Sequence, residues 1–394
     1  MRHLAVLGGK PAFDAPLHVG RPNIGNREHF MEYANAIFDN RWLTNHGPFI
    51  AQFEQELNRF LGVKHCIAVC NATIALEILI RALELEGEVI VPSFTFIATA
   101  HSLQWLGVRP VFCDIDPLTH NLDPRCVEKL ITPRTTGILG VHVWGRPCAI
   151  EALQEIARAR NLKLIFDAAH AFGCTHAGKM IGGFGNAEVF SFHATKFYNT
   201  FEGGAIATNN DNLAARIRRM RNFGFAGYDE VVCVGTNGKM SEISAAMGLT
   251  NLQSLDEFIQ VNQRNYRQYR QETGRIPGLS LIHYDESEKC NYQYMAVEVD
   301  PQITGLQRDD LITVLQAENV LARRYFWPGC HRMEPYRSLF PDAYLSLPQT
   351  EKLAGRIMIL PTGTAVGEQE IEIICDILRT AIAKADVIRE WVIA

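Results

Sequence analysis

Leu162-Lys163-Leu164-Ile165-Phe166-Asp167-Ala168-Ala169-His170 reads as an apolar strand that closes on an acid and leaves through small residues. The same rhythm extends to both sides. Upstream, Cys66–Val69, Val89–Val91, Pro110–Asp114 and Gly137–Val143 have strand character, the second stopped by Pro92. Helical patterns separate them at Thr73–Leu85, Thr95–Leu106, Cys126–Ile131 and Ile150–Arg160. Downstream, Glu188–Phe192 and Gly204–Thr208 read as neighbouring strands. Strands alternating with helices predict an α/β fold with a mostly parallel sheet between helices and right-handed crossovers. A helical stretch at Asn251–Thr273 is expected to bridge to a smaller α+β domain, with a strand at Tyr292–Val299 and helices at Arg308–Glu318 and Glu368–Lys384. The expected division is a large domain over residues 1–250 and a small C-terminal domain over 251–394 that includes the linking helix.

Bulk properties exclude several classes. The 394 residues suffice for a large core and two domains. Hydrophobic residues make up 47% and charged residues 21%, as in an ordinary globular protein. A net charge of −5 with no basic run gives no reason to expect nucleic acid. No apolar stretch is long enough to span a bilayer, and Met1–Val6 opens no long apolar leader. The ten cysteines are scattered without a CxxC pair, which argues against a zinc ribbon, and no metal is expected. Free cysteines inside apolar runs act as small hydrophobes, and a reducing cytoplasm is the expected compartment. Gly182-Gly183-Phe184-Gly185 is glycine-rich, but no strand runs directly into it and no long helix follows, so it is not a dinucleotide fingerprint.

The chemistry lies at the strand ends, where ligands gather in open α/β sheets. Asp167 closes one strand, and Ser191-Phe192-His193-Ala194-Thr195-Lys196 leaves another. An aspartate at one strand end and a lysine after the next is what a pyridoxal phosphate enzyme needs. The lysine amine forms a Schiff base with the cofactor aldehyde, and the aspartate keeps the ring nitrogen protonated so that the ring accepts electrons. A lysine with its free pKa of about 10.4 is a poor nucleophile, so burial or a nearby cation must lower it. His170 follows one turn after Asp167 and can bond that carboxylate or the cofactor's phenolic oxygen; a satisfied structural histidine is the competing reading. The cofactor phosphate needs amides at a helix N-terminus and small hydroxyl residues, which Asn71-Ala72-Thr73 offers, with a plain N-cap as the alternative. Ser191 is a second hydroxyl within reach of that phosphate. Phe96, or alternatively Phe94, can lie flat on the ring, and either can instead be core. Gly203-Gly204 suggests close backbone packing or positive φ, and Glu202 is either structural or part of the substrate pocket.

These residues, taken together, resemble the DegT/DnrJ/EryC1/StrS family of sugar aminotransferases over essentially the whole chain. The matching pieces are Gly47-Pro48 with Phe53-Glu54, Asn71-Ala72-Thr73, Pro92–Thr99, Asp114-Ile115-Asp116, Asp167–Ala171, Ser191–Lys196, Glu202-Gly203-Gly204 and Gly235–Glu242. Two departures stand out: Phe201 where many members have glycine, and Lys239 where many have arginine. Members with histidine in place of the lysine are dehydratases, which Lys196 argues against. Thr195–Gly204 looks most like the subgroup that aminates C4 of dTDP-4-keto-6-deoxy-D-glucose.

The resemblance implies the PLP-dependent aminotransferase fold type I and a homodimer with active sites shared between subunits. It implies that Lys196 carries the cofactor, Asp167 binds the pyridine nitrogen, His170 lies near the cofactor oxygen, and Phe96 stacks on the ring. Ala72, Thr73 and Ser191 would hold the phosphate, and Asn237 would reach the phosphate in the partner subunit. The expected reaction is ping-pong transamination from glutamate to a nucleotide-linked keto sugar, giving dTDP-4-amino-4,6-dideoxy-D-glucose, with freed Lys196 as general base. Arg323, Arg324, His331 and Arg332 are candidates for the nucleotide diphosphate, with a solvated basic cluster as the equal alternative. The alternatives are a 3-keto sugar nucleotide, a cyclitol such as scyllo-inosose, or a cofactor-binding regulator without turnover.

Overall fold

A computed structural model describes residues 3–393. Seven strands form the central sheet: β1 (His65–Val69), β2 (Glu88–Pro92), β3 (Arg109–Cys113), β4 (Thr135–Val141), β5 (Lys163–Asp167), β6 (Ala187–Ser191) and β7 (Gly204–Thr208). Their order is β1-β7-β6-β5-β4-β2-β3. β7 runs antiparallel to both its neighbours, and the remaining pairs are parallel. The strands read as continuous apolar runs because helices cover both faces; Leu164, Ile165 and Phe166 of β5 are all buried. The sheet thus separates two apolar cores, with Ile165 and Val189 on one side and Phe166 and Phe190 on the other.

Element boundaries shift in ways that local chemistry explains. The helix expected from Thr73 begins at Ala72, where Asn71 Oδ1 accepts the Ile74 amide as a cap. The expected Asn251–Thr273 helix is two helices, Glu242–Gln253 and Leu255–Thr273, broken at Ser254. Asn251 already spends its side chain on distant backbone, accepting from Gly25 N–H and donating to the Asn199 carbonyl. The strand expected from Tyr292 begins at Met295, since Tyr292 has φ +50°. Helices Arg27–Asn40, Pro48–Leu61 and Asp211–Met220 were not foreseen, and Ala385–Ile393 follows the terminal helix Glu368–Ala383.

The C-terminal part carries an antiparallel sheet of β8 (Leu279–Leu281), β9 (Met295–Val299) and β10 (Ile357–Leu360). The chain's first residues pack against this part. Leu17–His18 pairs parallel with Val320–Leu321, and the fully buried Glu318 accepts the amides of Ala5 and Ala12, each at 2.7 Å. The segment after residue 18 then crosses to the lysine loop, which places it over the carboxyl ends of the sheet.

Candidate active site

A cavity of about 610 Å³ opens where the carboxyl ends of β1, β2, β4, β5 and β6 meet residues 19–23 and the C-terminal part. Asn71–Thr73, Thr95–Phe96, Val141, Asp167 and Ser191 leave those strands and line it; Lys196, His170, Tyr294, Arg323 and Phe326 complete the wall.

Asp167 is buried at the cavity floor. Its Oδ2 accepts from Thr99 Oγ1 at 2.9 Å and its Oδ1 from the Ala169 amide at 3.1 Å. Burial still pushes its pKa above the ordinary carboxylate value, against those two donors and the nearby Lys196. An opposing cation would bring it down. Lys196 is half-buried, and desolvation lowers its amine from 10.5 to about 8, opposed by Asp167. Its Nζ donates to Tyr294 Oη at 3.2 Å. His170 makes no bond to Asp167. Its Nδ1 instead accepts the Trp144 amide at 3.3 Å, so the neutral ring carries its proton on Nε2. Burial, then Lys196, holds its pKa well below 6.5 and keeps it neutral.

The Asn71-Ala72-Thr73 turn serves as both cap and cradle. Asn71 caps Ile74, while the Ala72 and Thr73 amides have no protein acceptor among the described residues. Gly204 of β7 packs on this turn without positive φ. A Cβ there would fall 2.7 Å from the Ala72 nitrogen and 2.8 Å from the Asn71 carbonyl carbon. The glycine pair is thus explained by close packing. Phe201 has φ +62°, the left-handed conformation that glycine adopts freely, and its ring meets Phe30 edge-on at 5.6 Å.

Phe96 lines the cavity and is 62% exposed, whereas Phe94 is fully buried against Trp144 and Phe326. Phe94 is therefore core. Asn237 does not line this cavity; its Oδ1 accepts from Lys239 Nζ at 2.6 Å. Of the four basic candidates only Arg323 reaches the cavity. Arg324 pairs with Asp309 at 2.8 Å. His331 is buried between Ser93 and Glu351, and Arg332 makes a two-bond pair with the same Glu351. Arg324 and Arg332 are thus held in structural ion pairs, and His331, its pKa lowered by burial, is a hydrogen-bonded structural histidine, which corrects the expected basic cluster.

Three contributors escaped the sequence reading. Thr99 offers a hydroxyl inside an apolar helix as its one signal. Tyr294 lay inside an expected strand. Asn23 gave no signal: it donates to the Phe197 carbonyl at 2.9 Å and accepts from Thr364, tying the lysine loop to the C-terminal part.

The residues fit pyridoxal phosphate. Two free helix-start amides face a close-packed glycine, a buried carboxylate lacks a cation, and a lysine of lowered pKa stands in the same cavity. Fold and site together define a fold type I aminotransferase dependent on that cofactor. The DegT/DnrJ/EryC1/StrS aminotransferase family profile matches residues 25–379, and the chain belongs to that family. It is 38% identical over 366 residues to a dTDP-4-amino-4,6-dideoxy-D-glucose transaminase of Shigella dysenteriae, covering 93% of this chain and 99% of that one. It is 36% identical over 361 residues to a GDP-perosamine synthase of Caulobacter vibrioides, covering 90% and 95%. Among solved structures, DesI in the presence of its TDP-sugar product superposes with a TM-score of 0.92 at 49% identity, covering 96% of each chain. Among the described residues no helix is long and apolar enough to cross a membrane, and no cluster of ligating side chains could hold a metal.

Proposed function

We propose that this enzyme transfers the amino group of glutamate to dTDP-4-keto-6-deoxy-D-glucose, giving dTDP-4-amino-4,6-dideoxy-D-glucose, as a cytoplasmic homodimer with shared active sites. The observation that carries the reading is one cavity holding Lys196, Asp167, His170 and the free Ala72 and Thr73 amides. The high identity to DesI and to the Shigella transaminase supports the choice of sugar.

When bound, the cofactor supplies an aldehyde for amine exchange and a ring that accepts an electron pair. The chain does the rest. Lys196, neutral in substantial part near pH 8, would hold the cofactor through its amine, and with that amine free it would take the proton from the donor Cα in one half-reaction and supply one to the sugar carbon in the other. Tyr294 Oη holds the amine in position. Asp167 holds a proton on the ring nitrogen, and Thr99 and Ala169 hold Asp167. His170 would present its Nε2–H to the cofactor's phenolic oxygen. Ala72, Thr73 and Ser191 would hold the phosphate, and Phe96 would cover the ring face. Asn237 lies outside this cavity, consistent with a role toward the partner's phosphate. Arg323, free of any carboxylate among the described residues, takes the nucleotide diphosphate.

The test is direct. The purified protein should be yellow, and borohydride followed by peptide mapping should place the adduct on Lys196. Incubation with glutamate and dTDP-4-keto-6-deoxy-D-glucose should yield a sugar aminated at C4 by NMR. Parallel reactions with the GDP-linked 4-keto sugar, a 3-keto sugar nucleotide and scyllo-inosose rank the substrates. Preferred turnover of any of these, or no aminated product at all, overturns the assignment.

A further inference from the structure

Behind the cavity lies a buried charge that the mechanism does not use. Glu188 on β6 and His142, just past β4, are both fully buried, with Nε2 to Oε1 at 3.0 Å. The second Glu188 oxygen accepts the amides of Gly182 and Phe184, so the unexplained Gly182-Gly183-Phe184-Gly185 turn is a clamp for this carboxylate. His142 Nδ1 accepts the Cys148 amide at 3.0 Å. A backbone N–H can only donate, so Nδ1 is bare and Nε2 carries the proton that Glu188 accepts.

The Cys148 bond closes a turn over residues 142–148. Within it the His142 amide donates to the Asp167 carbonyl and Gly145 N–H to the His142 carbonyl. Asn121 Oδ1 accepts the Val143 amide, and Trp144 is held at φ +63°. That left-handed residue aims its amide at His170 Nδ1. Gly145 packs so closely beneath that a Cβ on it would sit 2.8 Å from the His170 carbonyl.

We propose that Glu188 and His142 are positioning residues that set the tautomer of His170 through the Trp144 amide. Glu188 fixes the His142 proton, His142 closes the turn, and the turn's amide leaves His170 with Nε2–H facing the cavity. The inference rests on the reading of this cavity as the cofactor site for its consequence, but not for its geometry.

Glu188→Gln tests it. A glutamine cannot accept from His142 Nε2–H and from both loop amides in one orientation, so His142 loses its fixed tautomer. Histidine-labelled protein read by long-range 1H–15N NMR reports the tautomer directly, with His170→Gln assigning the peak. Wild-type protein should show a single His170 form protonated on Nε2. Glu188→Gln and His142→Leu should show mixed forms, with kcat lowered about tenfold or more and cofactor still bound. His142→Asn keeps an acceptor where Nδ1 stood, so it should restore the wild-type His170 signal. If Glu188→Gln does not fold, the contrast between His142→Leu and His142→Asn decides. An unchanged His170 signal in His142→Leu overturns the relay. Failure to aminate any sugar with the NMR pattern intact would count against the sugar reading alone.

Discussion

Gly204 sits so close to Ala72 that a Cβ on it would fall 2.7 Å from the amide nitrogen that starts the cradle helix. The contact is backbone on backbone, with the Phe190 carbonyl at 2.9 Å on another side, so no side-chain rotation relieves it. Gly204→Ala should cost about 1–3 kcal/mol of stability by overpacking. It should also displace the two free amides, so retention of the cofactor after dialysis should fall more than the melting temperature alone explains. A variant that keeps wild-type cofactor affinity would show that the Ala72 and Thr73 amides do not hold the phosphate.

Asp167 is destabilised as an anion in the cofactor-free protein, because burial outweighs its two donors. Its folded pKa is above its unfolded one, so the folded state keeps the proton longer, and stability falls as pH rises through that window. Asp167→Asn should therefore stabilise the cofactor-free protein near neutral pH, with the gain shrinking as pH is lowered toward 4. Turnover should drop about 10²–10⁴-fold. Melting curves of both proteins across pH check the first part, and steady-state rates check the second. A variant less stable than wild type at pH 7.5 would contradict it.

Thr99→Val removes the only side-chain donor to Asp167 among the described residues and leaves a buried carboxylate oxygen without a partner there. The expected cost is about 1–3 kcal/mol in the cofactor-free protein. The Asp167 pKa should rise further, so the variant should lose activity as pH is lowered and recover it toward higher pH, whereas Asp167→Asn, with no carboxyl to ionise, should stay low throughout. Comparing rates of the two variants from pH 6 to 9 tests this.

How far the sequence reached follows from which contacts are local. The central strands were legible because both faces of Leu164–Phe166 and Val189–Phe190 are buried, which leaves an uninterrupted apolar run. Asp167 was legible because a charged group directly after such a run has few structural uses, and Lys196 because it follows the neighbouring strand's end at Ser191 by five residues. Asn23 was illegible: its partners Phe197 and Thr364 lie far along the chain, and nothing periodic marks it. Arg332 and His331 looked like binding cations because Glu351, which pairs with the first and hydrogen-bonds the second, is distant in sequence from them. The break at Ser254 was hidden for the same reason, since Asn251 is diverted to Gly25 and Asn199.

Lys196 should titrate in the cofactor-free protein with a midpoint of about 8. Attachment of added cofactor, followed by absorbance, should speed up with pH and level off above that midpoint, because only the neutral amine attacks. The folded pKa is below the ordinary 10.5, so the unfolded chain binds more protons between about 8 and 10.5. Stability of the cofactor-free protein should gain a contribution across that range, and Lys196→Met should abolish it. A wild-type attachment rate that still climbs steeply at pH 10 would place the amine at an ordinary lysine pKa.

Arg323 is the basic residue of its cluster that points into the cavity, and the reason is a shared carboxylate. Asp309 takes both Arg308, at 2.5 Å, and Arg324, at 2.8 Å, on one side of the chain. Arg323 exchanges both backbone hydrogen bonds with Ile359, which fixes it at the sheet edge, and its guanidinium lies 5.5 Å from the Tyr325 ring. Arg323→Gln should raise KM for the nucleotide sugar roughly 10–100-fold, the loss of charge-assisted bonds worth about 1.5–3 kcal/mol. Arg332→Gln breaks the pair with Glu351 and the contact with the Tyr344 ring at 4.4 Å, both outside the cavity, and should leave that KM within about twofold while lowering stability slightly. The half-reaction with glutamate alone, followed spectrally, separates the two anions. If Arg323→Gln slows that half-reaction and leaves the sugar KM unchanged, the arginine serves the donor carboxylate and the diphosphate is held elsewhere.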